Sequence, residues 1–88
     1  MDIVAGSLVY SAAGRDKGRA FLVLSVEGNM CYVADGKLRK SDNPKKKKLK
    51  HLNGTCKISS ELLEKLNSGD NPTNSEIRKF LKLISEEA

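Results

Sequence analysis

Short apolar segments separated by glycine-containing turns occupy the first half of the chain. Three such segments, residues 8–10, 20–26 and 30–34, are rich in Val, Leu, Phe and Tyr. Runs of this kind between Gly, Asn and Asp residues are typical of β-strands. Residues 27–29 and 35–36 supply the turn residues. Strands that recur at this spacing predict a small antiparallel barrel.

Two further strands are expected beyond these three. Residues 38–40 predict a short strand that ends at an Asp-Asn-Pro break. Residues 47–52 alternate loosely between polar and apolar, which predicts a strand with Leu49 inward and with Lys48 and Lys50 outward. The barrel is therefore expected to have five strands.

The remainder of the chain predicts two helices. Ser59 or Ser60 is suited to cap the first helix, which is expected to run through Leu66. Thr73 and Glu76 have the spacing of a capping box at the start of the second. The second helix then carries one apolar stripe at helical spacing, formed by Ile77, Phe80, Leu81 and Ile84.

The apolar stripe of the second helix is expected to pack on the barrel or on the first helix. Arg78, Lys79 and Lys82 lie on its other face, so a helix at a membrane surface is an alternative. A chain of 88 residues has the length of one domain. We divide it into a barrel over residues 1–54 and a helical appendage packed on it over residues 55–88.

Positive charge is concentrated in one block. The chain has 16 Lys and Arg against 11 Asp and Glu. Residues 37–51 carry a net charge of +7, whereas residues 1–36 and residues 52–88 each carry −1. A focused cluster raises the local positive potential, and phosphate backbones are its commonest partner. A solvated loop is the alternative for the lysine run, and residues 44–48 also fit a nuclear-localisation pattern.

The sequence supplies no constellation for catalysis or metal binding. His51 is the single histidine and lies between Lys50 and Leu52, with no second histidine to act beside it. Residues 14–18 lack the pattern of a phosphate-binding loop, and no CxxC or HxxxH spacing suggests zinc. We therefore predict a protein that is not an enzyme and that has no cofactor and no metal.

The short apolar runs and the two cysteines indicate in which compartment the protein is found. The longest apolar run, residues 20–24, has five residues, whereas a membrane span needs about 20. Cys31 and Cys56 lie 25 residues apart without a secretory signal, so no disulfide is expected, and Cys31 is expected in the core. We predict a cytoplasmic, soluble monomer.

Three segments together resemble a KOW motif. They are residues 6–10 (GSLVY), 14–24 (GRDKGRAFLVL) and 33–36 (VADG), and they span about a third of the chain. Residues 38–52 are also similar to the continuation found in the large-subunit ribosomal protein fourteen family of archaea and eukaryotes. The whole chain resembles small bacterial ribosomal-protein-like KOW proteins. The resemblance implies an SH3-like barrel that binds RNA.

The resemblance also implies that the loop before the second strand contacts RNA phosphates. Asp16 lies in that loop and weakens its positive field, so the basic block is the stronger candidate. Arginines suit phosphates best because the guanidinium fork matches two phosphate oxygens. The predicted RNA-binding residues are Arg15, Lys17, Arg19, Lys37, Arg39, Lys40, Lys45, Lys46, Lys47, Lys48, Lys50 and His51.

These observations predict a mainly β fold, a small SH3-like barrel followed by two short α-helices. The predicted function is non-enzymatic binding of structured RNA, with ribosomal RNA of the large subunit as the expected partner. Few aromatic residues are present, so recognition by shape and charge is expected. One alternative is a protein-docking module of the transcription or translation machinery that uses the second helix over residues 77–84, with Phe80 as one contact. DNA binding is a lesser alternative, because both nucleic acids present phosphates.

Overall fold

A computed structural model describes residues 3–85, apart from the side chains of Cys56 and Ser85. Its elements are β1 (Ser7–Ser11), β2 (Ala20–Glu27), β3 (Met30–Ala34), β4 (Lys45–Lys48), a 3-10 turn (Leu49–His51), β5 (Leu52–Ile58), α1 (Ser60–Asn67) and α2 (Asn74–Ser85). The strands form one antiparallel sheet in the order β4-β3-β2-β1-β5. The sheet curls into a half-barrel, and the predicted mainly β class with two C-terminal helices is confirmed.

Both faces of the central strands are buried, which explains the unbroken apolar run in β2. Phe21 and Val23 point to the inner face, whereas Leu22 and Leu24 pack on the outer face. The register shifts between Val23 and Ser25. The buried inner cluster consists of Val9, Phe21, Val23, Cys31, Val33 and Leu52. The buried outer cluster consists of Leu8, Leu22, Ala34, Leu62, Ile77, Phe80 and Leu81.

The two helices cover the outer face of the sheet. Ser59 is the N-cap of α1, and its side chain accepts a hydrogen bond from the Leu62 amide. The predicted capping box of α2 is confirmed: the Thr73 amide donates to Glu76 Oε1 at 2.9 Å, and the Glu76 amide donates to Thr73 Oγ1 at 3.1 Å. The apolar stripe of α2 enters the outer cluster, with Ile84 half-buried beside it. Among residues 3–85, no helix is long and apolar enough to cross a membrane.

An ion pair joins the two helices. Lys65 Nζ donates to Glu76 Oε1 at 2.7 Å and to Oε2 at 2.6 Å. The hydrogen bonds from Lys65, together with the one from the Thr73 amide, lower the pKa of Glu76 from 4.5 to about 2. A carboxyl whose pKa is lower in the folded than in the unfolded protein stabilises the native state at pH values above its unfolded-state pKa. The contribution is therefore present above pH 4.5 and is lost as the pH falls towards 2.

The fourth and fifth strands differ from those predicted. Residues 38–40 form no strand, and the predicted strand over residues 47–52 is interrupted by the 3-10 turn. The turn is held by long-range bonds, because the Leu49 amide donates to the Asn29 carbonyl at 2.9 Å and the Ala12 amide donates to the His51 carbonyl at 2.8 Å. β5 then continues to Ile58, beyond the boundary expected at residue 54. The predicted orientations hold, with Leu49 against the inner cluster and Lys48 and Lys50 exposed.

Asp35 organises the loop that replaces the expected strand. Its Oδ1 accepts hydrogen bonds from the backbone amides of Lys37 and Arg39, both at 2.9 Å. The backbone amides of Asp35 and Gly36 in turn donate to the Arg39 carbonyl at 2.9 and 3.0 Å. These local bonds use the backbone groups that a strand would offer to a neighbour.

Gly36 allows this loop to lie directly against α2. Its φ is +78°, and a Cβ at this position would lie 2.5 Å from the Asn74 carbonyl oxygen. Arg78 Nη1 donates to the Gly36 carbonyl at 2.6 Å, and Asn74 Oδ1 accepts from the Ser41 amide at 2.8 Å. The loop is therefore fixed to the helix by contacts that cross more than 30 residues of sequence.

Alanine substitutions at two glycines measure this close approach. Gly69 has a φ of +85° with no atom near a Cβ, so Gly69→Ala carries only the cost of the left-handed region, about 1–2 kcal/mol. Gly36→Ala adds a backbone clash of about 1–3 kcal/mol. We expect urea denaturation to give a clearly larger loss of unfolding free energy for Gly36→Ala. Equal losses would contradict the close packing of the loop on α2.

Candidate nucleic-acid interface

A buried carboxylate lies beneath the cationic surface. Asp16 Oδ1 accepts hydrogen bonds from Lys47 Nζ and Ser11 Oγ, both at 2.8 Å, and its Oδ2 accepts from Lys45 Nζ at 3.0 Å. Lys47 Nζ also donates to Ser11 Oγ at 3.0 Å and lies 6.0 Å from the centroid of the Phe21 ring. Asp16 and Lys47 are each only 9% exposed. The network therefore lies against Phe21, a member of the inner cluster.

Burial and the ion network shift the pKa values of two groups, Asp16 and Cys31. Burial raises the pKa of the Asp16 carboxyl, but hydrogen bonds from Lys47, Ser11 and Lys45 outweigh it, so the pKa lies well below 3.8. Asp16 therefore stabilises the fold fully above about pH 4, and this contribution is lost as the pH falls through the folded-state pKa. Burial raises the pKa of the Cys31 thiol, and the charge of Lys47 opposes that shift.

Strand β4 divides its four lysines between two faces. Lys45 and Lys47 turn inward to Asp16, whereas Lys46 and Lys48 are exposed on the opposite side. Lys46 Nζ lies 5.9 Å from the centroid of the Tyr32 ring. Lys47 was expected to contact RNA phosphates, but its ammonium is buried and satisfied within the protein. The reason is the two-residue period of a strand, which sends alternate side chains to opposite faces.

Three arginines meet at one shallow depression. Arg15, Arg19 and Arg39 line a space of about 170 Å³ together with Lys45, and we call this surface the arginine depression. Arg19 Nη2 lies 3.6 Å from Asp35 Oδ2, and the same carboxylate holds the backbone of Arg39 through Oδ1. The structure thus brings together the three side chains for which the sequence predicted bidentate phosphate contacts.

A larger groove adjoins the arginine depression and shares Arg19 and Asp35 with it. It has a volume of about 660 Å³ and an apolar floor of Ala20 and Leu81. We call it the helix groove, and its other lining residues are Lys37, Arg78, Lys79 and Lys82.

Sequence reasoning missed the part that the α2 cations play in this surface. Arg78, Lys79 and Lys82 lie more than 25 residues beyond the basic block, in a segment whose net charge is −1. The available signal was their position opposite the apolar stripe, which predicts an exposed cationic face. Only the packing of α2 against the loop after β3 joins that face to Arg19 and Lys37.

The other predicted contacts do not line either surface. Lys17 and Lys40 are exposed in loops, Lys46 and Lys48 lie on the outer side of β4, and Lys50 and His51 are exposed in the 3-10 turn. The basic block is therefore ordered into separate faces of the molecule and does not form one patch.

The apolar stripe of α2 is used by the fold itself. Phe80 is 9% exposed and packs with Ile77 and Leu81 in the outer cluster. The docking alternative, which used this helix, therefore has no free surface at Ile77, Phe80 or Leu81. Leu83 is the large apolar side chain of α2 that is exposed, at 55%.

Comparisons with known proteins do not assign the chain to a family. The sequence matches no protein-family profile and has no significant match to a curated protein. In the described part of the chain, no group of three or more His, Cys, Asp or Glu residues could hold a metal ion. The cations that line the arginine depression and the helix groove are able to bind anions.

Replacement of Asp16 by Asn tests the buried ion network. Asp16→Asn keeps the shape of the side chain but removes the charge opposite Lys47 and Lys45. Loss of one partner from a buried ion pair costs about 3–5 kcal/mol, because the remaining charge stays desolvated. We expect urea denaturation at pH 7 to show a loss of unfolding free energy of this size. The difference in unfolding free energy between the variant and the parent protein is expected to shrink below about pH 4.

The matched control for this variant is Asp42→Asn. Asp42 is exposed in the loop before β4, so its replacement is expected to change the unfolding free energy by less than about 0.5 kcal/mol. An equal loss of unfolding free energy in Asp16→Asn and Asp42→Asn would contradict the stabilising role of the Asp16 carboxylate in the buried ion network.

Proposed function

We propose that this chain is a non-enzymatic RNA-binding protein that holds structured RNA by its phosphates. The observation that carries the proposal is the convergence of cations from three separate segments on one continuous surface. Residues 15–19, 37–45 and 78–82 contribute to the arginine depression and the helix groove, which meet at Arg19 and Asp35. A continuous cationic surface suits a phosphate backbone better than isolated lysines do.

Fixed carboxylates support the cations of this surface. Asp35 holds Arg19 and the backbone of Arg39, and Asp16 holds Lys45. Side chains that are already ordered lose less conformational entropy on binding. The charge of Asp16 is compensated inward by Lys47, so the acidic residue in the loop does not cancel the field of Arg15.

The expected mode of recognition is shape and charge. Tyr10 and Tyr32 are both half-buried, Tyr10 against the outer cluster and Tyr32 beside Lys46. These rings therefore offer little surface on which RNA bases could stack. The resemblance to KOW motifs favours RNA over DNA as the source of the phosphates, and contacts to phosphates and 2′-hydroxyls read helix shape with little sequence preference.

Salt dependence tests the phosphate contacts. If about five phosphates are engaged on a duplex stem, the slope of log K against log salt is near −4 to −5. Arg15→Gln/Arg39→Gln removes two contacts and reduces the steepness by about 2. We expect both results from fluorescence anisotropy with a labelled RNA stem-loop.

Lys48→Gln/Lys50→Gln is the matched control, with the same change of net charge outside the proposed surface. It is expected to keep most of the slope, whereas equal losses in the two variants would indicate unspecific attraction. A flat salt dependence of the parent protein would contradict RNA binding by phosphates. Equal affinity for a DNA stem of the same sequence would contradict the preference for RNA.

The ribosomal resemblance extends the proposal to ribosomal RNA, and thus to translation in the cytoplasm. We expect the protein to sediment with the large ribosomal subunit at low salt and to be released at high salt, because phosphate contacts are weakened by salt. Arg15→Gln/Arg39→Gln is expected to reduce co-sedimentation more than Lys48→Gln/Lys50→Gln. Absence from ribosomal fractions at low salt would contradict the ribosomal target.

A further inference from the structure

The helix groove is larger and less polar than a phosphate site requires. Its volume of about 660 Å³ lies within the range of about 300–1,000 Å³ that is typical of sites for small organic ligands. Its floor of Ala20 and Leu81 carries no charge. A phosphate alone would leave this floor unused, so the groove suits a ligand that has both an anionic group and an apolar surface.

The cations of the groove have two different roles. Arg78 Nη1 donates to the Gly36 carbonyl at 2.6 Å and its Nη2 donates to Ser75 Oγ at 3.2 Å, while Arg19 lies against Asp35. Both guanidinium groups are thus held in place, and fixed guanidinium planes are stacking partners for unpaired bases. Lys37 and Lys79 are exposed and act as point charges for phosphates.

We infer that the helix groove holds one unstacked nucleotide of the bound RNA. The base lies on the apolar floor beside the guanidinium groups, and its phosphate meets the lysines. The adjoining arginine depression takes the neighbouring phosphates, because the two surfaces share Arg19. The inference rests on the proposed function and makes it more specific: the target is a structured RNA with a bulged or looped-out nucleotide.

Three RNA hairpins with the same stem test this inference. One is fully paired, one has a single bulged nucleotide, and one has an abasic residue at the bulge. The stacking of a base on a cation predicts that the bulged hairpin binds about two- to fivefold more tightly than the paired one. The abasic hairpin keeps the phosphate and the flexibility of the bulge but is expected to lose this gain.

Ala20→Met tests the location without a change of charge. The longer side chain fills the floor of the groove, so we expect the preference for the bulged hairpin over the paired one to disappear. Val26→Met, an exposed position at the other end of β2, is the matched control and keeps the preference. Retention of the preference in Ala20→Met would overturn the placement of the base in this groove.

A second measurement does not depend on the folding of a variant. 4-Thiouridine at the bulge is expected to crosslink, on irradiation, to peptides that contain residues 19–20 or 78–82 of the parent protein. Crosslinks elsewhere would overturn the inference. Equal affinity for the bulged and paired hairpins, or for the bulged and abasic ones, would overturn it and leave the proposed function in place. Failure to bind any hairpin would overturn both.

Discussion

The charge of one buried carboxylate ties the loop between β1 and β2 to the edge strand β4 of the half-barrel. Asp16 comes from the loop between β1 and β2, and its partners Lys45 and Lys47 come from β4 at the edge of the sheet. The two elements share no backbone ladder, because β3 and β2 lie between β4 and β1. The ion network links them through side chains, and it positions the loop that carries Arg15 beside Lys45.

A second carboxylate shapes the loop through which the sheet contacts α2. Asp35 shapes the loop after β3, and Gly36 allows that loop to approach α2 closely enough for Arg78 and Asn74 to hold it. The helical segment is therefore part of the candidate site and also a cover for the outer face of the sheet. In both places an acidic residue beneath the surface orders cations above it, which prepares those cations for phosphate contacts at little entropic cost.

Local patterns in the sequence predicted most of the elements. The strands β1, β2 and β3, the N-cap at Ser59 and the capping box of α2 all depend on neighbours within a few residues, and all are confirmed. Residues 38–40 were misassigned because the carboxylate of Asp35 bonds the amides on which a strand would depend. The 3-10 turn before β5 was missed because bonds to Asn29 and Ala12, distant in the sequence, hold it.

The sequence alone determined the periodicities, the helix caps and the position of a net charge of +7 in residues 37–51, because each follows from the order of neighbouring side chains. Only the tertiary structure decided which of these charges meet. It buried Lys47, turned Lys46 away, and brought Arg15, Arg39 and the cations of α2 to one surface. The physical reason is that strand register, sheet curl and long-range hydrogen bonds set the side and the neighbours of each side chain. No local pattern in the sequence encodes which distant side chains become neighbours.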